Sequence, residues 1–174
     1  MSVLDEVLHQ DLPNRVRSNH ALEHATLHVL QEKGNTARLG GISDAGGFYI
    51  FGDVGTETLL LAAREARERL MAGESHLAVH PNCGTNMAVG ALAAGGLAWM
   101  GMWGTKGKPG RRLLRMPLAV LMGLVGYQVA KPLGPKVQER ITTNADVSKM
   151  EIVEVVRQDV MGNPVHRVTT RAAK

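Results

Sequence analysis

From Met87 to Trp103 the chain carries no charged residue, and a second uncharged run, Met116 to Ala130, follows after a short connector. Backbone polar groups must be paired internally in hydrocarbon, so such runs become helices in a bilayer or helices buried in a core. With Thr85 and Asn86 the first run nearly reaches the roughly 20 residues that span a membrane. Trp99 and Trp103 sit at its far end, where interfacial aromatics belong. Gly90, Ala94, Gly95, Gly123 and Gly126 would let two helices approach closely. The connector, residues 104–115, holds five Lys/Arg and no acid. The expected arrangement is a two-helix transmembrane hairpin over residues 85–134. The alternative is a Gly/Ala-rich helical pair in a soluble core.

The flanking segments read as one soluble α+β domain that this hairpin interrupts, with an N-terminal half over 1–84 and a C-terminal part over 135–174. Residues 3–10, with Val3, Leu4, Val7 and Leu8, predict a short amphipathic helix. Asp11-Leu12-Pro13-Asn14 interrupts it. A second helix then runs from about Pro13 or Asn19 to Lys33, burying Leu22, Ala25, Leu27, Val29 and Leu30 and stopping at Gly34-Asn35. Two short strands around Asp44-Ala45-Gly46-Gly47 predict a hairpin, since no phosphate-binding glycine pattern is present. Thr56–Ala72 reads as an amphipathic helix capped by Thr56, with Glu65–Arg69 and Arg64–Glu68 pairs outside and Leu59, Leu60, Ala63, Ala66 and Leu70 inside. Ser75–His80 alternates like a strand. The β-rich segments 151–157 and 165–170, joined around Met161-Gly162-Asn163-Pro164, predict a C-terminal hairpin that completes the sheet.

The chemistry concentrates in His20-Ala21-Leu22-Glu23-His24. On a helix His20 and His24 are one turn apart and share a face, so both imidazoles can reach one metal ion. Glu23, beside that face, could take a proton from bound water. A catalytic zinc needs a third protein ligand, and His80-Pro81-Asn82-Cys83-Gly84-Thr85-Asn86 offers two candidates, His80 and Cys83. A thiolate is favoured near a helix N-terminus. Asn82 and Asn86 could support ligands or a substrate carbonyl, although Thr85 or Asn86 must also cap the helix. His28 reads as a supporting or surface residue, one turn too far along. Glu57, Glu65 and Glu68 are further candidate ligands, with a solvated helix face the simpler account of Glu65 and Glu68. His9, His76 and His166 have no constellation around them and are expected to be solvated. The bland reading of Cys83 is a small buried hydrophobe.

His20-x-x-Glu23-His24 resembles the inverted-zincin motif of pitrilysin/insulysin-type peptidases. The resemblance implies that both histidines bind zinc, that Glu23 activates water, and that a glutamate some seventy residues downstream is the third ligand. That distance falls near Met100, inside the apolar run, where there is no acid. Only the pentapeptide carries over. The whole combination also looks like small bacterial membrane proteins without an assigned function.

These features predict a membrane-anchored zinc hydrolase acting on a peptide or protein, with Glu23 as general base. Two alternatives stand beside it: a non-catalytic metal-binding membrane protein serving as assembly factor or small subunit, and a helix whose histidines merely pack. Expected partners are the lipid bilayer and, through the Gly/Ala-rich helices, a second copy or a membrane complex. Nucleic acid is not expected, because aromatics make up 3% and no binding module is present. The pI near 9.5 belongs to the later segments, since residues 1–84 hold 11 acids against 7 Lys/Arg. A basic connector argues for a cytoplasmic loop. The lone Cys83 and the lack of a cleavable signal pattern in residues 1–10 argue instead for soluble parts on the cytoplasmic face of the cell membrane, which is the expectation adopted.

Overall fold

The computed structural model describes residues 3–8 and 10–173; His9 lies outside them. The chain divides into two units. The first comprises Met1–His80 and Glu139–Lys174, the second Pro81–Gln138.

In the first unit, α1 (Val3–Leu8) leads into α2 (Asp11–Glu32). The predicted glycine stop holds: Gly34 has φ 84, and Asn35 N–H reaches back to Leu30 O at 3.0 Å, closing the helix end. The apolar residues singled out on α2 are all buried. Strands β1 (Gly40–Asp44) and β2 (Gly47–Phe51) form the first hairpin. Strands β3 (Met150–Val160) and β4 (Asn163–Ala172) form the second, around Met161 and Gly162, both at positive φ as a tight two-residue turn requires. Strand β4 pairs with β2, giving one antiparallel sheet in the order β1-β2-β4-β3. The C-terminal hairpin does complete the sheet.

Helices α2 and α3 (Thr56–Met71) cover one face of that sheet. Leu22, Leu30, Phe48, Ile50, Leu59 and Val168 are fully inaccessible at its centre. Burying each contributes about 1.5–3 kcal/mol. Two local expectations fail on α3. Gly55 rather than Thr56 precedes the first turn, and Thr56 Oγ1 lies 3.2 Å from His166 Nε2. The arginine and glutamate of α3 also tie across to α2 instead of pairing along the helix. Arg69 bonds Glu32 and Glu74, and Lys33 pairs with Glu65 at 2.5 Å.

Ser75–Ala78 is a 3-10 turn, not a strand. Leu77 N–H bonds Glu74 O at 3.1 Å and Val79 N–H bonds His76 O at 3.2 Å, so the backbone closes on itself three residues back instead of joining a ladder. His166 is the other reversal: it sits on β4, fully buried, with Nδ1 lacking a hydrogen-bond partner among the described residues. Burial, then Arg157, push its pKa down, with Asp159 and Asp53 opposing.

The second unit holds α4 (Gly84–Gly101), α5 (Pro109–Ala130) and short α6 (Leu133–Val137). The small residues work as expected where α4 and α5 meet. A Cβ on Gly126 would lie 2.6 Å from Ala93 O, and one on Gly90 would meet the Tyr127 ring at 2.7 Å. The membrane expectation is met only in its coarser form. Among the described residues one helix, α5, with 22 residues, is long and apolar enough to cross a membrane. Helix α4 is 18 residues long and diluted by its glycines, Thr85 and Asn86. On α5, Leu113, Leu114, Val120, Leu121, Leu124 and Val129 are all exposed.

Candidate metal centre

The predicted site residues divide between the units. His20, Glu23, His24, His28 and His80 belong to the first; Asn82, Cys83 and Asn86 belong to the second.

In the first unit, the 22-residue α2 carries His20, His24 and His28 on one stripe. The 3-10 turn and its continuation to His80 run alongside that stripe. Ring centroids are 4.3 Å apart for His20 and His24, 5.7 Å for His24 and His80, and 4.9 Å for His28 and His80. Four imidazoles therefore form one contiguous group, in which His24 and His80 are buried.

Backbone carbonyls fix the tautomers. A carbonyl can only accept, so His20 Nδ1–H donates to Thr142 O at 2.9 Å and His24 Nδ1–H donates to Ala78 O at 2.7 Å. In the neutral ring the lone pair then sits on Nε2 in both. This is the arrangement that orients metal-binding histidines through their other nitrogen. His28 is fixed the other way round, its Nε2–H donating to Val79 O at 2.9 Å. It shares the ring stack but presents Nδ1. Burial, with His28 and His24 adding to it, pushes the pKa of His80 down to about 4, so its imidazole is neutral at physiological pH.

Glu23 is buried and turned toward β1, where Ser43 Oγ–H donates to Oε2 at 2.5 Å. Gly41, two residues before Ser43 and on the same strand face, leaves the space the carboxylate occupies: a Cβ there would overlap Oε1 and Cδ and lie 2.7 Å from Cγ. Gly41, Ser43 and the carbonyls of Ala78 and Thr142 were invisible as site residues in the sequence. Thr142 closes the π-helical turn Gln138–Thr142, an irregular segment with carbonyls turned out of a regular helix. Glu65 is committed to its ion pair with Lys33. His76 is exposed, as expected.

Within the second unit Cys83 is buried and precedes the first turn of α4, its Sγ accepting from Thr85 N–H at 3.4 Å. The helix is thus capped by Cys83, not by Thr85 or Asn86. Asn86 is a local brace: Nδ2–H donates to Pro81 O at 2.7 Å, and Oδ1 accepts from Gln138 at 2.6 Å. Asn82 is exposed.

Fold and site together define a class: an α+β unit built on a histidine-bearing helix, into which an apolar helical pair is inserted. A family model described as a domain of unknown function, DUF6391, matches residues 15–155, a stretch that includes most of the motif helix, the histidine cluster and both long apolar helices. The chain belongs to the DUF6391 family. It is 36% identical over 166 residues to a protein of Picosynechococcus sp. described as uncharacterised, covering 90% of this chain and 79% of that one. No solved structure matches it.

Proposed function

We propose that this protein is a membrane-anchored zinc-dependent hydrolase with a peptide substrate, in which His20 and His24 hold the ion through Nε2 and Glu23 is the general base. The observation that carries this reading is the paired anchoring of His20 and His24 by the Thr142 and Ala78 carbonyls. Two neighbouring imidazoles in the same tautomer offer the nitrogen donors a divalent transition metal takes. The resemblance of the pentapeptide to inverted zincins supports the same assignment. A bound zinc ion supplies Lewis acidity, polarising a scissile carbonyl and acidifying water. The protein's own part is proton handling: Glu23, oriented by Ser43, accepts a proton from water and returns it to the leaving amine. His80 or Cys83 completes the ligand set. His80 is neutral and packs on His24, while Cys83 follows three residues later, a tether of roughly 10 Å.

Membrane anchoring rests on α5 and its exposed leucines and valines. Helix α4 would be a second, shorter span, with the first unit on the cytoplasmic face in keeping with a reduced Cys83.

A second reading is favoured by the ring contacts of His80 with both His24 and His28. A centre closed by histidines has no open position for substrate and would make this a metal-binding subunit or assembly factor. Metal analysis beside Glu23→Gln separates the readings. The hydrolase requires near-stoichiometric zinc in wild type, its loss in His20→Ala and His24→Ala, and retained zinc with at least ~100-fold lower peptide hydrolysis in Glu23→Gln. Zinc without hydrolysis selects the second reading. Zinc-free protein from chelator-free buffers refutes both.

A further inference from the structure

The opposite side of α2 from the histidine stripe borders a cavity of about 670 Å³ in the first unit. Asp11, Arg15 and Ser18 recur along one face of the helix, and Asn144, Asp146 and Lys149, from the segment entering β3, form the facing wall. That wall is held in place by its own hydrogen bonds. Asn144 N–H donates to Arg17 O at 3.1 Å, Ser18 Oγ–H to Asp146 O at 3.1 Å, and Asn144 Nδ2–H to Asn14 Oδ1 at 2.8 Å. Asp146 accepts from both Ser148 N–H and Ser148 Oγ–H, which keeps its carboxyl below the ordinary range and ionised.

Arg15 is the anomaly in this frame. Its Nε is buried and has no hydrogen-bond partner among the described residues. A guanidinium N–H shut away from water is normally paired, and its planar fork matches a carboxylate held side-on. The charges of the lining balance, Arg15 and Lys149 against Asp11 and Asp146. Two carboxylates disfavour a phosphate dianion, while a ligand carrying both an ammonium and a carboxylate meets all four groups. The volume lies within the range of small-molecule sites.

We propose that this cavity binds a zwitterionic α-amino acid or short peptide, its carboxylate on the Arg15 guanidinium with Lys149 and its ammonium toward Asp11 and Asp146. The site is distinct from the histidine cluster and does not depend on metal.

The test is an NMR titration of full-length protein in detergent micelles, read at the Arg15 Nε–H resonance, with glycylglycine, acetate, ethylammonium and inorganic phosphate as probes. Glycylglycine should shift that resonance saturably at about millimolar concentration, with acetate and phosphate needing at least ~10-fold more and ethylammonium not shifting it. Arg15→Lys keeps the charge but loses the fork; read at the Asn144 amide, it should need ~10-fold more glycylglycine with an unchanged unfolding temperature. Asp146→Asn, which can still accept from Ser148, should narrow the gap between glycylglycine and acetate. Lack of saturation by glycylglycine, equal or tighter binding of acetate or phosphate, or undiminished binding in Arg15→Lys would each overturn the proposal.

Discussion

Replacing Gly41 by alanine should damage this protein through Glu23 and nothing else. The glycine lies in a strand, with no positive φ that alanine would resist. What resists is the Glu23 side chain, whose Cγ would be 2.7 Å from the new Cβ. Moving that side chain breaks the 2.5 Å bond from Ser43, a hydrogen bond worth about 0.5–1.5 kcal/mol, and overpacking adds about 1–3 kcal/mol. A total near 3 kcal/mol corresponds to an unfolding temperature lowered by roughly 6–12 °C. Thermal unfolding of the full chain in detergent, followed by circular dichroism, measures it. In a Glu23→Ala background the cavity left by the carboxylate accepts the added methyl, so Gly41→Ala should then cost under ~1 kcal/mol. A coupling of about 2 kcal/mol between the two positions is therefore expected. Equal costs in both backgrounds would refute the argument that Glu23 is what keeps position 41 small.

Three further outcomes follow from the same structure. Asn19, fully buried, donates to Asp44 O and accepts from Thr170 Oγ–H, both at 2.7 Å; Asn19→Ala should cost about 2–4 kcal/mol in chemical denaturation, with Thr170→Val costing less. Because His166 is held neutral by burial and Arg157, its folded pKa lies below the unfolded value near 6.5. Its contribution to stability is therefore complete above that pH and declines as pH falls toward the lower folded value, so His166→Gln should flatten the stability profile below about pH 6.5, its cost being greatest at neutral pH and shrinking on acidification. Gly126→Val should separate α4 from α5, since even a Cβ would lie 2.6 Å from Ala93 O; loss of an engineered disulfide between flanking positions of the two helices reports it.

The helices and strands that local periodicity specifies were readable: α2 with its glycine stop, α3, and both hairpins. The failures came where tertiary partners decide. Ser75–His80 alternates, yet the four-stranded sheet has no place for it, and the segment instead turns the Ala78 and Val79 carbonyls toward His24 and His28. His166 looked solvated because its burial arises from pairing two hairpins more than a hundred residues apart in sequence. The pentapeptide marked the histidines, but a carbonyl leaves no trace in residue identity, so what orients them could not be read. Ser43 could be found only by knowing which face of β1 meets α2. The two apolar runs were visible as composition, yet the glycines that let α4 pack closely on α5 also dilute its hydropathy.

The pairing of β2 with β4 has a consequence for how the protein is made. Strand β2 ends at Phe51, and its neighbour does not begin until Asn163. At about 5–20 residues per second, translation leaves the first hairpin without its partner for on the order of ten seconds. Throughout that interval the apolar face of α2 has only half a sheet to rest on. The whole second unit, Pro81–Gln138, is synthesised before the sheet can close. Thr142, which orients His20, also emerges only after it. The nascent chain therefore completes its second, helical unit before Thr142 is available to orient His20, so the histidine cluster is only partly anchored on any fragment that ends with that unit.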